Sequence, residues 1–129
     1  MATYLLDTNI IIDAINDKRN RNLALIGLAE QGHTFACCAV NVAEVYAGLR
    51  PKEEARTAAL LHSLEFCPIT FPVAEFAGRL KREYGRKGKT LSIPDTLIAA
   101  VALHYRLALI TDNTKDFPMS DLSLHSLPE

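Results

Sequence analysis

Apolar residues in this chain fall into two kinds of run. Tyr4-Leu5-Leu6, Thr34-Phe35-Ala36-Cys37-Cys38 and Leu107-Ala108-Leu109-Ile110 are short and unbroken, the pattern of strands buried on both faces of a sheet. Phe66-Cys67-Pro68-Ile69 is a weaker strand, and its Pro68 points to an edge or a strand end. Leu122-Ser123-Leu124 reads as a short closing strand. The longer runs have helical spacing. Asp7-Thr8-Asn9, all good cap residues, precede Ile10-Ile11-Ile12, Ala14 and Ile15 in a first helix ending near Asn16-Asp17. Asn22 to Gln31 carries Leu23, Ile26, Leu28 and Ala29, with Gly32 placed to end it. Asn41 is predicted to cap a helix with Val42, Val45, Tyr46 and Leu49, and Pro51 to open one with Ala55, Ala58, Leu61 and Leu64. Val73 to Tyr84 puts Phe76, Ala77, Leu80 and Tyr84 on one face, with Gly85 and Gly88 as breakers. Ser92-Ile93-Pro94-Asp95 starts the last helix, whose buried stripe is Leu97, Ile98, Val101, Ala102 and Tyr105.

Strands alternating with helices predict an α/β sandwich around a central, mostly parallel sheet. No linker, repeat or low-complexity segment interrupts the pattern, so residues 1–129 read as one domain. The composition, 49% hydrophobic and 22% charged without tryptophan, gives an aliphatic core of adequate size. Three cysteines, two of them adjacent, make a poor disulfide framework and fit a reducing cytoplasm. The histidines are scattered and no CxxC occurs, which argues against zinc. The N-terminus is not that of a signal peptide, and no apolar run is long enough for a bilayer, so no membrane association is expected.

A formal net charge of −1 excludes a broadly basic nucleic-acid binder. One segment departs from this balance: Arg79, Lys81, Arg82, Arg86, Lys87 and Lys89 stand against Glu83 alone between residues 79 and 89. It is either a solvated helix end or a contact for a phosphate backbone, with Arg79, Arg82, Arg86 and Lys87 as the candidates.

The acids fall where an open parallel sheet places its sites, beyond the carboxyl ends of the strands. Asp7 follows the first strand and Asp112 the strand at 107–110, with Asp116 one turn later. Glu44 lies near the start of the helix after the second strand, and Asp95 in the first turn of the last helix. Converging carboxylates repel one another unless a cation sits among them. Mg²⁺ or Mn²⁺ fits that role, and the chemistry it serves is phosphodiester hydrolysis by metal-activated water. Each acid also has a plainer reading. Asp7 can cap a helix, Asp95 can form a capping box with Ser92, Glu44 can face solvent, and Asp112 and Asp116 can form turns.

Four segments at these acids, in order, resemble the PIN-domain family, and within it the VapC-type toxins of toxin–antitoxin pairs. They are Leu5-Leu6-Asp7-Thr8-Asn9, Asn41-Val42-Ala43-Glu44-Val45-Tyr46-Ala47-Gly48-Leu49, Ile93-Pro94-Asp95-Thr96-Leu97-Ile98-Ala99-Ala100 and Ile110-Thr111-Asp112-Asn113-Thr114-Lys115-Asp116-Phe117. The resemblance implies an α/β/α sandwich and a Mg²⁺- or Mn²⁺-dependent endoribonuclease that leaves a 5′-phosphate. It implies Asp7 and Asp95 as principal metal ligands, Glu44 completing the cluster, and Thr8, Asn9 and Thr111 supporting it. The fourth acid is ambiguous: Asp116 is favoured, then Asp112, while Asn113 occupies a position where family members commonly carry an acid. The resemblance further implies an RNA substrate, a VapB-like antitoxin partner and a homodimer, for which Leu60, Leu61 and Phe76 are interface or core candidates. A non-catalytic nucleic-acid-binding or adaptor module on the same fold, or a metal-dependent DNA nuclease, is the alternative.

Overall fold

In the computed structural model, which describes residues 1–128, β1 (Thr3–Leu6), β2 (Thr34–Cys38), β3 (Glu65–Cys67), β4 (Ala108–Ile110) and β5 (Leu124–His125) form one sheet. Their order is β3-β2-β1-β4-β5 and every pairing is parallel, with Leu5 opposite Ala36 on one side and Leu109 on the other. The first strand is therefore central, and its carboxyl end is the middle of the sheet edge.

Successive strand residues point to opposite faces, and the core divides accordingly. Leu6, Cys37 and Ile110 pack against α1 (Thr8–Ile15), α2 (Arg21–Glu30), α3 (Ala39–Ala47) and α4 (Glu54–Ser63), through Ile10, Ile11, Leu25, Val45 and Leu61. Leu5, Ala36, Cys38 and Leu109 pack on the other face against α5 (Phe71–Arg86) and α6 (Ile93–His104), through Val73, Ala77, Leu80, Ile98 and Ala102. This is the expected α/β/α sandwich, with the sheet parallel throughout. Leu61 is buried, and Leu60 and Phe76 are half-buried against the same cores, so all three side chains are engaged within the chain.

Several boundaries differ from the sequence expectation for identifiable reasons. Asn41 is not a cap. The third helix begins at Ala39 with Cys38 as its N-cap, and Asn41 sits three residues in, accepting a hydrogen bond from the Cys38 amide. Glu44 consequently lies in the second turn rather than the first. Pro51 opens a 3₁₀ turn, Pro51–Glu53, and α4 follows it. Pro68 does not enter the third strand, which stops at Cys67, because proline has no amide to donate to the ladder. Gly85 is accommodated inside α5, which runs on to Arg86. The last strand is displaced to Leu124–His125.

Helices α5 and α6 pack antiparallel. Tyr105, at the end of α6, donates its hydroxyl to the Pro68 carbonyl before α5 at 2.7 Å. Lys81, late in α5, donates to the Leu91 carbonyl before α6. The basic end of α5 thus shares an end of the molecule with the start of α6, where Asp95 sits. Between α1 and α2 the chain reverses through Asp17, Arg19 and Asn20, all at positive φ near 55°. Asp and Asn tolerate that region better than Arg does. Among the described residues no helix is long and apolar enough to cross a membrane.

Candidate active site

Asp7 is the first residue past β1 and the N-cap of α1, with extended backbone at φ −67° and ψ 152°. Its amide donates to the Ile110 carbonyl at 2.9 Å, which ties it to the end of β4. Its Oδ1 accepts from the Thr8 amide at 2.8 Å and its Oδ2 from the Thr111 hydroxyl at 2.7 Å. The Thr111 hydroxyl in turn accepts from the Asn113 amide at 2.9 Å. With that lone pair engaged, the hydroxyl hydrogen is directed at Asp7.

A second chain of bonds orients Glu44. The Asn41 amide nitrogen donates to the Thr8 hydroxyl at 3.0 Å and to the Leu6 carbonyl at 3.1 Å. The Thr8 hydroxyl then donates to Glu44 Oε1 at 2.7 Å. Asn41 is fully buried and bonded to β1, to the cap of its own helix and to Thr8. Sequence reasoning treated it as a cap and missed this role; the signal available was an Asn one helical turn ahead of a candidate acid.

Asp95 occupies the third position of α6, where its amide donates to the Ser92 hydroxyl at 3.2 Å. Asp116 ends a short 3₁₀ turn, Thr114–Asp116, after β4. The two are close enough to Asp7 and Glu44 for their charges to act on one another. Burial raises the Asp7 carboxyl above its ordinary range against the opposing hydrogen bonds from Thr111 and Thr8, and the charges of Glu44 and Asp116 push it further. Asp95 is raised mainly by burial as well, with Ser92 opposing and Asp116, Asp7 and Glu44 adding to the shift. Asp7, Glu44, Asp95 and Asp116 therefore form one electrostatic cluster at the carboxyl edge of the central strands.

Asp112 does not share this environment. Its carboxylate takes both Oδ contacts from Arg21 Nη2 at 2.8 Å and one from Arg19 Nη1 at 3.0 Å. The Arg21 side chain is fully buried, and its Nε also lies 3.7 Å from Asp13. The acidic charges that act most on Asp7 are those of Glu44 and Asp116, and on Asp95 those of Asp116, Asp7 and Glu44. Sequence reasoning missed Arg21 and Arg19, since nothing local links them to a residue about ninety positions away. Asn113 contributes its backbone, donating to Thr111 and accepting from the Asp116 amide at 2.9 Å. Asn9 is exposed, and among the described residues no hydrogen bond links its side chain to the acids.

The surface candidates on α5 are partly compensated. Arg79 pairs with Glu75 at 3.3 Å and Lys87 with Glu83 at 3.5 Å, whereas Arg82 and Arg86 form no ion pair among the described residues. The cysteines are poor ligands. Burial pushes the Cys37 thiol up to about 11 and raises Cys38 and Cys67 as well.

Among the described residues no Lys, Arg or His forms an ion pair with any of the four clustered acids. The donor set consists of hard carboxylate oxygens, which suits a divalent cation of the Mg²⁺ class. Among the described residues no three His, Cys, Asp or Glu side chains are gathered closely enough to hold a metal ion by themselves. Mg²⁺ commonly takes only one or two carboxylates, with waters and a phosphate oxygen completing its shell.

Comparison with known proteins identifies the family. The PIN domain family model matches residues 4–119. The chain is 30% identical over 115 residues to ribonuclease VapC19 of Mycobacterium tuberculosis, covering 89% of this chain and 92% of that protein. It is 28% identical over 119 residues to ribonuclease VapC2 of Rickettsia felis, covering 88% and 89%. The crystal structure of VapBC2 from Rickettsia felis bound to a promoter DNA fragment superposes with a TM-score of 0.84 at 25% identity, covering 97% of this chain and 98% of that chain. A toxin–antitoxin complex from Klebsiella pneumoniae superposes with a TM-score of 0.75 at 33% identity, covering 92% of each chain. With its four acids at the carboxyl edge of a parallel five-stranded sheet, the chain belongs to the PIN-domain family and, within it, to the VapC ribonucleases.

Proposed function

We propose that this protein is the toxin of a toxin–antitoxin pair, a Mg²⁺- or Mn²⁺-dependent endoribonuclease. The observation that carries the proposal is the cluster of Asp7, Glu44, Asp95 and Asp116 without a protein cation, in a chain whose relatives are named ribonucleases. When bound, the divalent ion supplies an activated water and stabilises the charge that develops on the phosphate and the leaving oxygen.

The chain's own residues prepare that site. Asp7 and Asp95 offer carboxylate oxygens from two different elements, the end of β1 and the start of α6. Thr111 and the Thr8 amide hold both Asp7 oxygens in place and leave lone pairs free. Thr8, itself held by Asn41, fixes one oxygen of Glu44. Asp116 completes the ring of acids from the loop that Arg21 and Asp112 anchor. A set of acids acting on one another repels a phosphodiester on its own, which makes activity depend on the cation.

Cleavage of structured RNAs with and without Mg²⁺ or Mn²⁺, comparing the native chain with Asp95→Asn, tests the reading. Metal-dependent cutting abolished both by EDTA and by the substitution is the expected result. Cutting that survives Asp95→Asn would remove this site from the reaction. For the partner, co-expression with its VapB-like antitoxin should give a stable complex that suppresses cleavage. A homodimer is part of the same proposal, and sedimentation of the purified chain measures it.

A further inference from the structure

Asp7 and Glu44 begin two helical paths that lead to the same place. From Asp7, α1 runs to Asn16; from Glu44, the rest of α3 runs to Gly48 and Arg50. There the chain encloses an open cavity of about 500 Å³ lined by Asn16, Lys18, Arg50, Lys52, Glu53 and Arg56. Four cations face one carboxylate, on a chain whose formal net charge is −1. That carboxylate is already engaged. Glu53 accepts from the Arg50 amide at 3.1 Å and from its guanidinium at 3.3 Å, and these bonds hold it below the ordinary carboxylate range. Among the described residues Lys18, Lys52 and Arg56 form no ion pair and remain exposed.

We infer that this cavity is a phosphate-binding subsite for the RNA strand, on the nuclease reading above. Three observations favour it. The lining comes from two separate segments, residues 16–18 and 50–56, that the fold brings together, so Lys18 adds its charge to that of Arg50, Lys52 and Arg56. The last turns of α1 and α3 hold no basic residue, so the positive charge lies beyond those helices, at the cavity. The distance also suits a bound strand. Asn16 lies nine residues along the helix from Asp7, a span of about 13 Å at roughly 1.5 Å per residue. A single strand with its scissile bond at the acids brings a phosphate beyond the adjacent one to that reach. The cavity lies on the α1 face of the sheet and the basic end of α5 on the other, so the acids sit between two cationic surfaces. Flexible lysines beside a planar arginine bind backbone phosphate without reading sequence.

The test measures binding of a fluorescently labelled single-stranded RNA dodecamer against salt, by anisotropy, with the full chain carrying Asp95→Asn so that no cleavage occurs. The comparison is the same protein with Lys18→Gln, Lys52→Gln and Arg56→Gln, and Lys52→Glu alone in case the triple variant folds poorly. Each lost phosphate contact on a single strand reduces the slope of log K against log salt by about 0.7, so the triple variant should lose roughly 2 from the slope. Lys52→Glu should lose about 0.7 or more. In the cleavage-competent chain the triple variant should raise KM for long RNA and leave kcat within about twofold. A slope unchanged in the variants, while the parent binds RNA, would overturn the subsite and leave the nuclease reading standing. A parent that binds no RNA would overturn both.

Discussion

Replacing Arg21 by Met should weaken the active site without touching any of the four clustered acids. Arg21 is fully buried and donates Nη2 to both Asp112 oxygens at 2.8 Å. Breaking a buried pair by removing one partner typically costs about 3–5 kcal/mol. Two features place this case at or below the low end. Asp112 keeps Arg19 at 3.0 Å, and its side chain is 23% exposed, so the stranded carboxylate can hydrate. Arg21 Nε and Nη1 are buried with no hydrogen-bond acceptor among the described residues, and methionine relieves that desolvation. The expected loss is about 2 kcal/mol, read from urea unfolding of the metal-free protein. Arg21→Met combined with Asp112→Asn should recover at least half of it, since removing both partners leaves no buried charge. Because Asp112 starts the loop that carries Asn113 and Asp116, Mn²⁺ affinity measured by electron paramagnetic resonance should also fall, by about tenfold. A loss under roughly 0.5 kcal/mol, or strict additivity in the double variant, would refute the idea that this pair anchors the loop.

Three further outcomes are expected. Asp7 and Asp95 have raised carboxyl pKa values, so their contribution to the stability of the metal-free protein is fully present below the ordinary aspartate value of 3.8 and is lost as pH rises through the folded values. Asp95→Asn should therefore raise the metal-free Tm at pH 7 by a few degrees while abolishing Tm stabilisation by Mn²⁺; a lowered Tm would contradict the mutual repulsion. Thr111→Val keeps the side-chain shape but removes the hydroxyl donor to Asp7, and should reduce metal affinity about 10- to 100-fold, with the binding midpoint moved to higher pH in a calorimetric titration. Asn41→Ala removes three buried hydrogen bonds, and should destabilise the chain by about 3 kcal/mol in chemical denaturation and lower kcat by freeing Glu44; full activity would show that the Thr8–Glu44 bond is incidental.

The amino-acid sequence by itself determined the layered architecture and the approximate place of the acids. The three central strands, β1, β2 and β4, are three to five residues long and flanked on both sides, so they must be continuous apolar runs; helices between them must carry apolar stripes, so the α/β order is written locally. An acid directly after a central strand stands at the sheet's carboxyl edge whatever the rest of the chain does, which is why Asp7 was legible. Asp95 was legible through the Ser92 helix start, and the α3 match carried Glu44 although that helix begins three residues earlier than expected. The tertiary structure alone decided which of Asp112 and Asp116 faces the other acids. The two lie four residues apart on one loop, and Asp112 is claimed by Arg21 across an interval of 91 residues that no local pattern encodes. The role of Asn41 as the clamp on Thr8 and the concentration of Lys18, Lys52 and Arg56 around one cavity belong to the same class. Periodicity fixes which face a residue takes, but a side chain's partner across the fold depends on how those faces are packed together.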